Sequence, residues 1–155
     1  SGGPVAYVQA PIFNPRNLKV EGFYVSDSVD KRPLILLDQD IRESSPRGYI
    51  INDHDVLAEP DDLVRLQNVL AMDFQLVGKP VQTVGREPVG KVSDYAVETT
   101  TMYVQKLYVA QSLWKRLTGG ELSVDRSQIV EITNRRVIIQ DPLRPTPSTA
   151  MAPAA

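Results

Sequence analysis

Residues 85–92 read GREPVGKV, and Gly85, Gly90 and Lys91 stand at the G-x-x-x-x-G-K spacing of a phosphate-cradling loop. That chemistry needs a buried strand entering the loop and a helix leaving it, whose first N–H groups and dipole hold the phosphates. It also needs Ser or Thr after the lysine to ligate magnesium. Val92 occupies that position, and Pro88 has no N–H to offer. A β-hairpin fits the segment better, with Gly85 turning the chain, Val89 and Val92 entering a core and Lys91 in solvent.

His54 is the sole histidine and sits in INDHDVL (51–57), where Asn52, Asp53 and Asp55 suggest a metal or acid–base cluster. Adjacent residues of a strand point to opposite faces, so these side chains converge only if a turn intervenes. The segment reads as a turn or helix cap. The carboxylate pairs Asp38/Asp40 and Asp61/Asp62 have the chemistry for proton transfer, but a loop and a helix start are places for solvated acids. The threonine run 99–101 has no base beside it to activate a nucleophile and reads as a hairpin turn. No catalytic residue, cofactor ligand or metal ligand is assigned.

The best contact candidates are Trp114, Lys115 and Arg116 in SLWKRLTGG (112–120), since Trp and Arg are enriched at binding hot spots. The same pattern also arises if Leu113 and Leu117 pack inward with Trp114 half covered.

The elements that must position these residues follow from composition and pattern. The chain has 155 residues, 42% of them hydrophobic and 23% charged, enough to bury one ordinary core or two small ones. A net charge of −2 argues against duplex nucleic acid as the default partner. There are no cysteines, which excludes disulfides, thiol catalysis and zinc–thiolate sites and fits a reducing, cytoplasmic setting. No apolar run approaches the roughly 20 residues of a membrane span.

Short runs rich in β-branched and aromatic residues dominate: 18–26, 33–37, 48–51, 102–110 and 136–140. One stretch reads as a helix, 60–72 (PDDLVRLQNVLAM), with Pro60 in its first turn and Leu63, Leu66 and Leu70 at helical spacing. Residues 39–44 and 112–117 could each form about one helical turn. From Pro142 on, PLRPTPSTAMAPAA has no apolar periodicity and reads as a disordered tail.

The chain also matches itself. An offset of 84 residues lays 4–26 on 88–110 without a gap, pairing Pro4/Pro88, Val5/Val89, Val8/Val92, Val20/Val104, Tyr24/Tyr108 and Val25/Val109. At an offset of 73, INDHDVL (51–57) lies on VDRSQIV (124–130), which implies an enlarged loop around 30–47 in the first copy. LVGKPVQTV (76–84) has no counterpart there, because Ser1, Gly2 and Gly3 alone precede Pro4. Either an upstream strand or another segment closes the first unit.

LVGKPVQTVGREPVGKVSDYAVETTTMYVQKLYVA followed by ELSVDRSQIVEITNRRVIIQD resembles the PRC-barrel domain family. Leu76, Gly78, Lys79, Val81, Gly85, Val89, Gly90, Lys91, Val92 and Asp94 fit the opening of its pattern. Ile129, Ile132 and 137–139 fit its close. The resemblance implies a mainly β chain of two tandem small PRC-like barrels. The first would span 4–75 and include a linking helix, the second 76–141, and the tail 142–155. It also implies an adaptor rather than an enzyme, because the family has no shared catalytic motif and carries no cofactor requirement. Its members include the cytoplasmic domain of the photosynthetic reaction-centre H subunit, the C-terminal domain of a ribosome-maturation factor that binds a ribosomal protein, and archaeal cell-division proteins. The implied function is protein–protein interaction in the cytoplasm. The alternatives are a ribosome-assembly or RNA-processing factor that binds a ribosomal protein, and a membrane-associated electron-transfer accessory domain. The aromatic-rich entry of the ribosome-maturation version is absent, since MDFQLVGKPV has Phe74 alone.

Overall fold

The structure is a computed structural model and describes residues 3–111 and 120–141. Among the described residues it is mainly β with one short α-helix, and its backbone divides into two units. The first comprises Ser1–Phe74 with Thr99–Tyr103, the second Gln75–Glu98 with Val104–Ala155.

In the first unit, β1 (Ala6–Asn14), β2 (Lys19–Asp27) and β3 (Pro33–Leu37) form an antiparallel meander in the order β1-β2-β3. Local side-chain chemistry sets both turns. The Asn14 side chain accepts from the Arg16 N–H at 3.0 Å, the Asn17 side chain accepts from the Lys19 N–H at 3.0 Å, and Leu18 takes the left-handed position at φ 61°. After β2, Asp27 Oδ1 accepts from the N–H groups of Val29 and Asp30 at 2.8 and 3.2 Å, and Lys31 turns at φ 61°. Leu34, Ile35 and Leu36 are all buried, so β3 is covered on both faces. Its far edge is met by Ala58, which exchanges backbone bonds of 2.7 and 2.9 Å with Ile35. Phe13 stacks on Phe74 at 5.3 Å, and Ile12, Val20, Phe23, Val25 and Met102 complete the core. A small ribbon, β4 (Glu43–Ser45) with β5 (Gly48–Ile50), brings the Tyr49 ring to 5.0 Å from Phe23.

The second unit is a six-stranded sheet. In chain order its strands are β6 (Pro80–Thr83), β7 (Pro88–Val97), β8 (Val104–Gln111), β9 (Glu121–Asp125), β10 (Ile129–Ile132) and β11 (Val137–Ile139). Across the sheet they run β10-β11-β6-β7-β8-β9, with β11 parallel to β6 and every other pair antiparallel. Val81, Val89, Val92, Val104, Leu107, Val109, Val124, Val137 and Ile139 are buried. β9 and β10 are its two edges, so the sheet is open. Yet they are consecutive in the chain, joined by the three-residue 3-10 turn Arg126–Gln128. Such a link spans at most about 14 Å, whereas six flat strands would separate the edges by about 24 Å. The sheet must therefore curl. Asp125 caps that turn by accepting from the Ser127 N–H, and Gln128 reaches back to the Asp125 N–H.

The expected helix over 60–72 is corrected. Residues Pro60–Asp62 and Val64–Leu66 form separate 3-10 turns, and the α-helix, α1, is Gln67–Met72 alone. Leu63 leaves the helical region at ψ 76°, and the Gln67 side-chain amide bridges the break by donating a second hydrogen bond to each of the carbonyls of Pro60 and Leu63, at 2.8 and 3.0 Å. Of residues 39–44, the first two lie in the 3-10 turn Asp38–Asp40 and the last two in β4.

The two long hairpins, β1–β2 and β7–β8, superpose in register at the offset of 84. Val8↔Val25 matches Val92↔Val109, and Phe13↔Val20 matches Val97↔Val104. Their bulges coincide too, falling between Val8/Ala10 and Ile12/Phe13 in one and between Val92/Asp94 and Ala96/Val97 in the other. The second block is one residue out of register, since the Asp-capped 3-10 turns His54–Val56 and Arg126–Gln128 match at an offset of 72 rather than 73. The strand beside β2 is β3, with Gly22↔Leu37, and the strand beside β8 is β9, with Lys106↔Asp125, so 33–37 corresponds to 121–125. Residues 33–37 are thus sheet rather than part of an enlarged loop, and the additional length of the first unit follows β3.

Candidate functional site

The closest approach of titratable groups to a site lies where β2 ends. Asp27 is the last residue of that strand and is buried, while His54 opens the 3-10 turn His54–Val56. Asp53 fixes that turn by accepting from the Asp55 N–H at 2.7 Å. The turn delivers the imidazole to the carboxylate, so that His54 Nε2 hydrogen-bonds Asp27 Oδ2. Asp27 thus spends one oxygen on the imidazole and the other on the N–H groups of Val29 and Asp30. The bond from His54, reinforced by the Val29 N–H, holds its pKa down to about 2. An ionised carboxylate only accepts, so Nε2 carries the hydrogen.

A carboxylate that orients an imidazole is half of a proton-transfer device. The other half is a nucleophile or substrate cleft before the imidazole, and Ser26, next to Asp27 in sequence, directs its Oγ to the Lys31 carbonyl at 3.4 Å. The pair pins the 54–56 turn to the β2–β3 turn. Asp53 and Asp55 do not join it as ligands, and among the described residues no three His, Cys, Asp or Glu side chains are placed to hold a metal ion.

The pair has an acid signature. The Asp27 pKa of about 2 lies below its ordinary 3.8, so the native state resists protonation and this contribution is fully present above about pH 4. It is lost as pH falls through 2. Urea midpoints measured between pH 7 and 2 should therefore fall most steeply below pH 4, and Asp27→Asn should flatten that fall. Asp27→Ala should lower the thermal midpoint further than Asp27→Asn, whose amide oxygen still accepts from Val29 and Asp30.

The phosphate-loop spacing resolves as a turn between antiparallel strands. The Arg86 N–H donates to the Thr83 carbonyl at 2.9 Å and the Glu87 N–H to Thr83 Oγ1 at 3.2 Å, so these donors are used internally. β7 follows, not a helix, and Lys91 is exposed along it. Val84 and Gly85 are the central residues of this turn, as expected, and Arg86 leaves it in the left-handed region at φ 69°. Gly90 lies against the backbone of the neighbouring strand, at the Ala110 carbonyl.

The remaining candidates disperse. Asp38 pairs with Lys19 at 2.9 Å rather than with Asp40, and this bond raises the Lys19 pKa. Asp61 and Asp62 sit in the first turn of their 3-10 segment. The threonines at 99–101 belong to the turn of the β7–β8 hairpin. Thr133 Oγ1 organises the β10–β11 turn by accepting from the N–H groups of Arg135 and Arg136, and Arg136 Nη1 donates to Gln82 at 3.1 Å. Trp114, Lys115 and Arg116 lie outside the described residues, as does the tail from Pro142.

No family model matches this sequence, and no curated protein matches it either. What the chain does must be argued from its own surface. Among the described residues, no helix is long and apolar enough to cross a membrane.

Asp27 is the residue that the sequence reading passed over. Its signal was present in FYVSDSVDKRP, an acid placed directly after a strand with its acceptor two and three residues before free N–H groups. The pairing with His54, 27 residues away, had no local signal.

Proposed function

We propose that this chain is a non-catalytic adaptor of PRC-barrel type that binds another protein in the cytoplasm. The observation that carries the reading is the placing of its exposed apolar side chains. Val29, Val64, Val77 and Val84 are exposed in turns or a 3-10 segment, but Tyr7 and Val8 lie on the strand β1, Tyr49 and Ile50 on β5, and Val130 on the edge strand β10. Isolated apolar residues on a surface are ordinary. Apolar residues on strands with unpaired backbone are sites where a second polypeptide adds on.

The PRC-like part of the reading draws support from the coincident registers and bulges of the two hairpins and from the forced curl of the six-stranded sheet. Both suit small barrel-like units built twice. Trp114, with Lys115 and Arg116, remains the anchor proposed from sequence.

Affinity purification of the full chain under native conditions, followed by reconstitution with each recovered protein, tests the reading. A direct protein partner is expected, and Trp114→Ala should weaken it by about tenfold or more if the indole is a hot spot. Recovery of ribosomal particles bound through RNA would replace the adaptor reading with an assembly role. Substrate turnover that disappears in both Asp27→Asn and His54→Gln would overturn it in favour of an enzyme.

A further inference from the structure

β1 and β7 are matched strands in two different settings. At the offset of 84, Val8 stands where Val92 does, Val5 where Val89 does, and Tyr7 where Lys91 does. In the second unit the outer side of β7 is occupied. The Gly78 N–H donates to the Val92 carbonyl at 2.8 Å, the Val92 N–H donates to the Lys79 carbonyl at 2.9 Å, and β6 continues the ladder with Pro80↔Lys91 and Val81↔Gly90. Under that strand Val92 is 2% exposed and Val89 is buried.

In the first unit, among the described residues, β1 pairs with β2 alone. Val8 is 50% exposed and Val5 half-buried. The N–H and C=O of one residue in an antiparallel strand point to the same side. The backbone groups of Val8, matched to those of Val92, therefore face away from β2. From Ala6 to Ala10 this edge carries no charged side chain, the usual means of blocking strand addition.

We propose that the outer edge of β1, centred on Val8, accepts an extended segment of a partner protein, added antiparallel as β6 is added to β7. This deepens the adaptor reading and rests on it. β6 defines the inward chemistry of such a segment, since Val81 and Thr83, two residues apart, are buried. The outward chemistry comes from β1. The residue opposite Tyr7 shares a face with it, and there Lys31 Nζ lies 5.4 Å from the Tyr7 ring centroid. An acidic residue at that place meets the ammonium. A second copy of β1 is a poorer occupant, because each strand is bulged at Gln9 and two copies would set bulge against bulge.

Two peptides probe the edge: the chain's own residues 76–84, LVGKPVQTV, and the same peptide with Pro80→Glu. With the full chain isotope-labelled, the Glu peptide should bind more tightly than the parent, lose that advantage at high salt, and slow hydrogen exchange at the Val8 amide. Val8→Pro, which removes one outward N–H from an edge strand, should weaken binding about tenfold. Lys31→Glu leaves the backbone edge intact and should reverse the preference between the peptides. The proposal falls if neither peptide binds, or if folded Val8→Pro and Lys31→Glu both bind them unchanged. It falls equally if the Val8 amide is already protected in the free chain, whether in a dimer of two copies or in a monomer. A purified partner whose affinity survives Val8→Pro would overturn the edge while leaving the adaptor reading standing.

Discussion

Gly90→Ala should cost the second unit about 3 kcal/mol or more of stability, at the upper end of overpacking penalties. A Cβ built on Gly90 would lie 2.0 Å from the carbonyl oxygen of Ala110 and 2.8 Å from its carbon. These are backbone atoms of the neighbouring strand, so no side-chain rotation relieves the contact, and β7 and β8 must separate. Gly22→Ala should behave similarly in the first unit, where the Leu36 carbonyl oxygen lies at 2.5 Å. Gly85→Ala is the control. Its new methyl would meet nothing nearer than Thr83 Oγ1 at 3.7 Å, and its stability should stay within about 0.5 kcal/mol of the parent. Urea titrations followed by far-UV circular dichroism check all three. A Gly90→Ala chain as stable as Gly85→Ala would mean that the strands are not so closely apposed.

Phe23→Ala and Leu107→Ala should both be severe, at about 3–5 and 2–5 kcal/mol. These residues are matched at the offset of 84 and are 8% and 0% exposed. Each removes the central apolar side chain of its hairpin's inner face, and Tyr24→Phe and Tyr108→Phe, one residue on, should be mild by comparison. Chemical denaturation of the four variants decides it. If the two alanine variants differ by more than the leucine–phenylalanine difference explains, the hairpins do not play equivalent parts in their units.

The β character of the chain, most strand positions and the hairpin correspondence were legible in the sequence because β-branched and aromatic runs recur with the same spacing. The bulges were not. Val20, Phe23 and Val25 all face the core although two residues separate the first pair, because β2 carries an extra residue at Glu21. Val104, Leu107 and Val109 repeat this across Gln105. Strict alternation fails at such positions, and no single residue type announces them. The broken helix over 60–72 was hidden for a related reason. Its leucines have helical spacing, but helical spacing does not reveal that Leu63 departs from helical geometry or that Gln67 compensates. The second repeat block was read one residue out of register, because its Asp-capped 3-10 turns, after Asp53 and Asp125, match at an offset of 72 and the flanking apolar residues do not fix the register. At the candidate site, the Asp27 turn was readable from neighbours in sequence, whereas its bond to His54 depends on where two distant turns come to rest.

The placement of β11 has a consequence for how the second unit comes to be made. Val137 and Ile139 are near the end of the described chain, yet they lie between β6 and β10, with Val137 paired to Val81. A parallel contact across so much intervening chain closes slowly. During synthesis, β6 to β9 can assemble first, but the Val81 side of β6 keeps an unpaired edge until residue 139 has emerged. Premature termination anywhere before Val137 therefore releases a sheet with an adhesive inner edge rather than a slightly shorter protein. Coverage of the Val81 edge is therefore timed by the last strand of the unit.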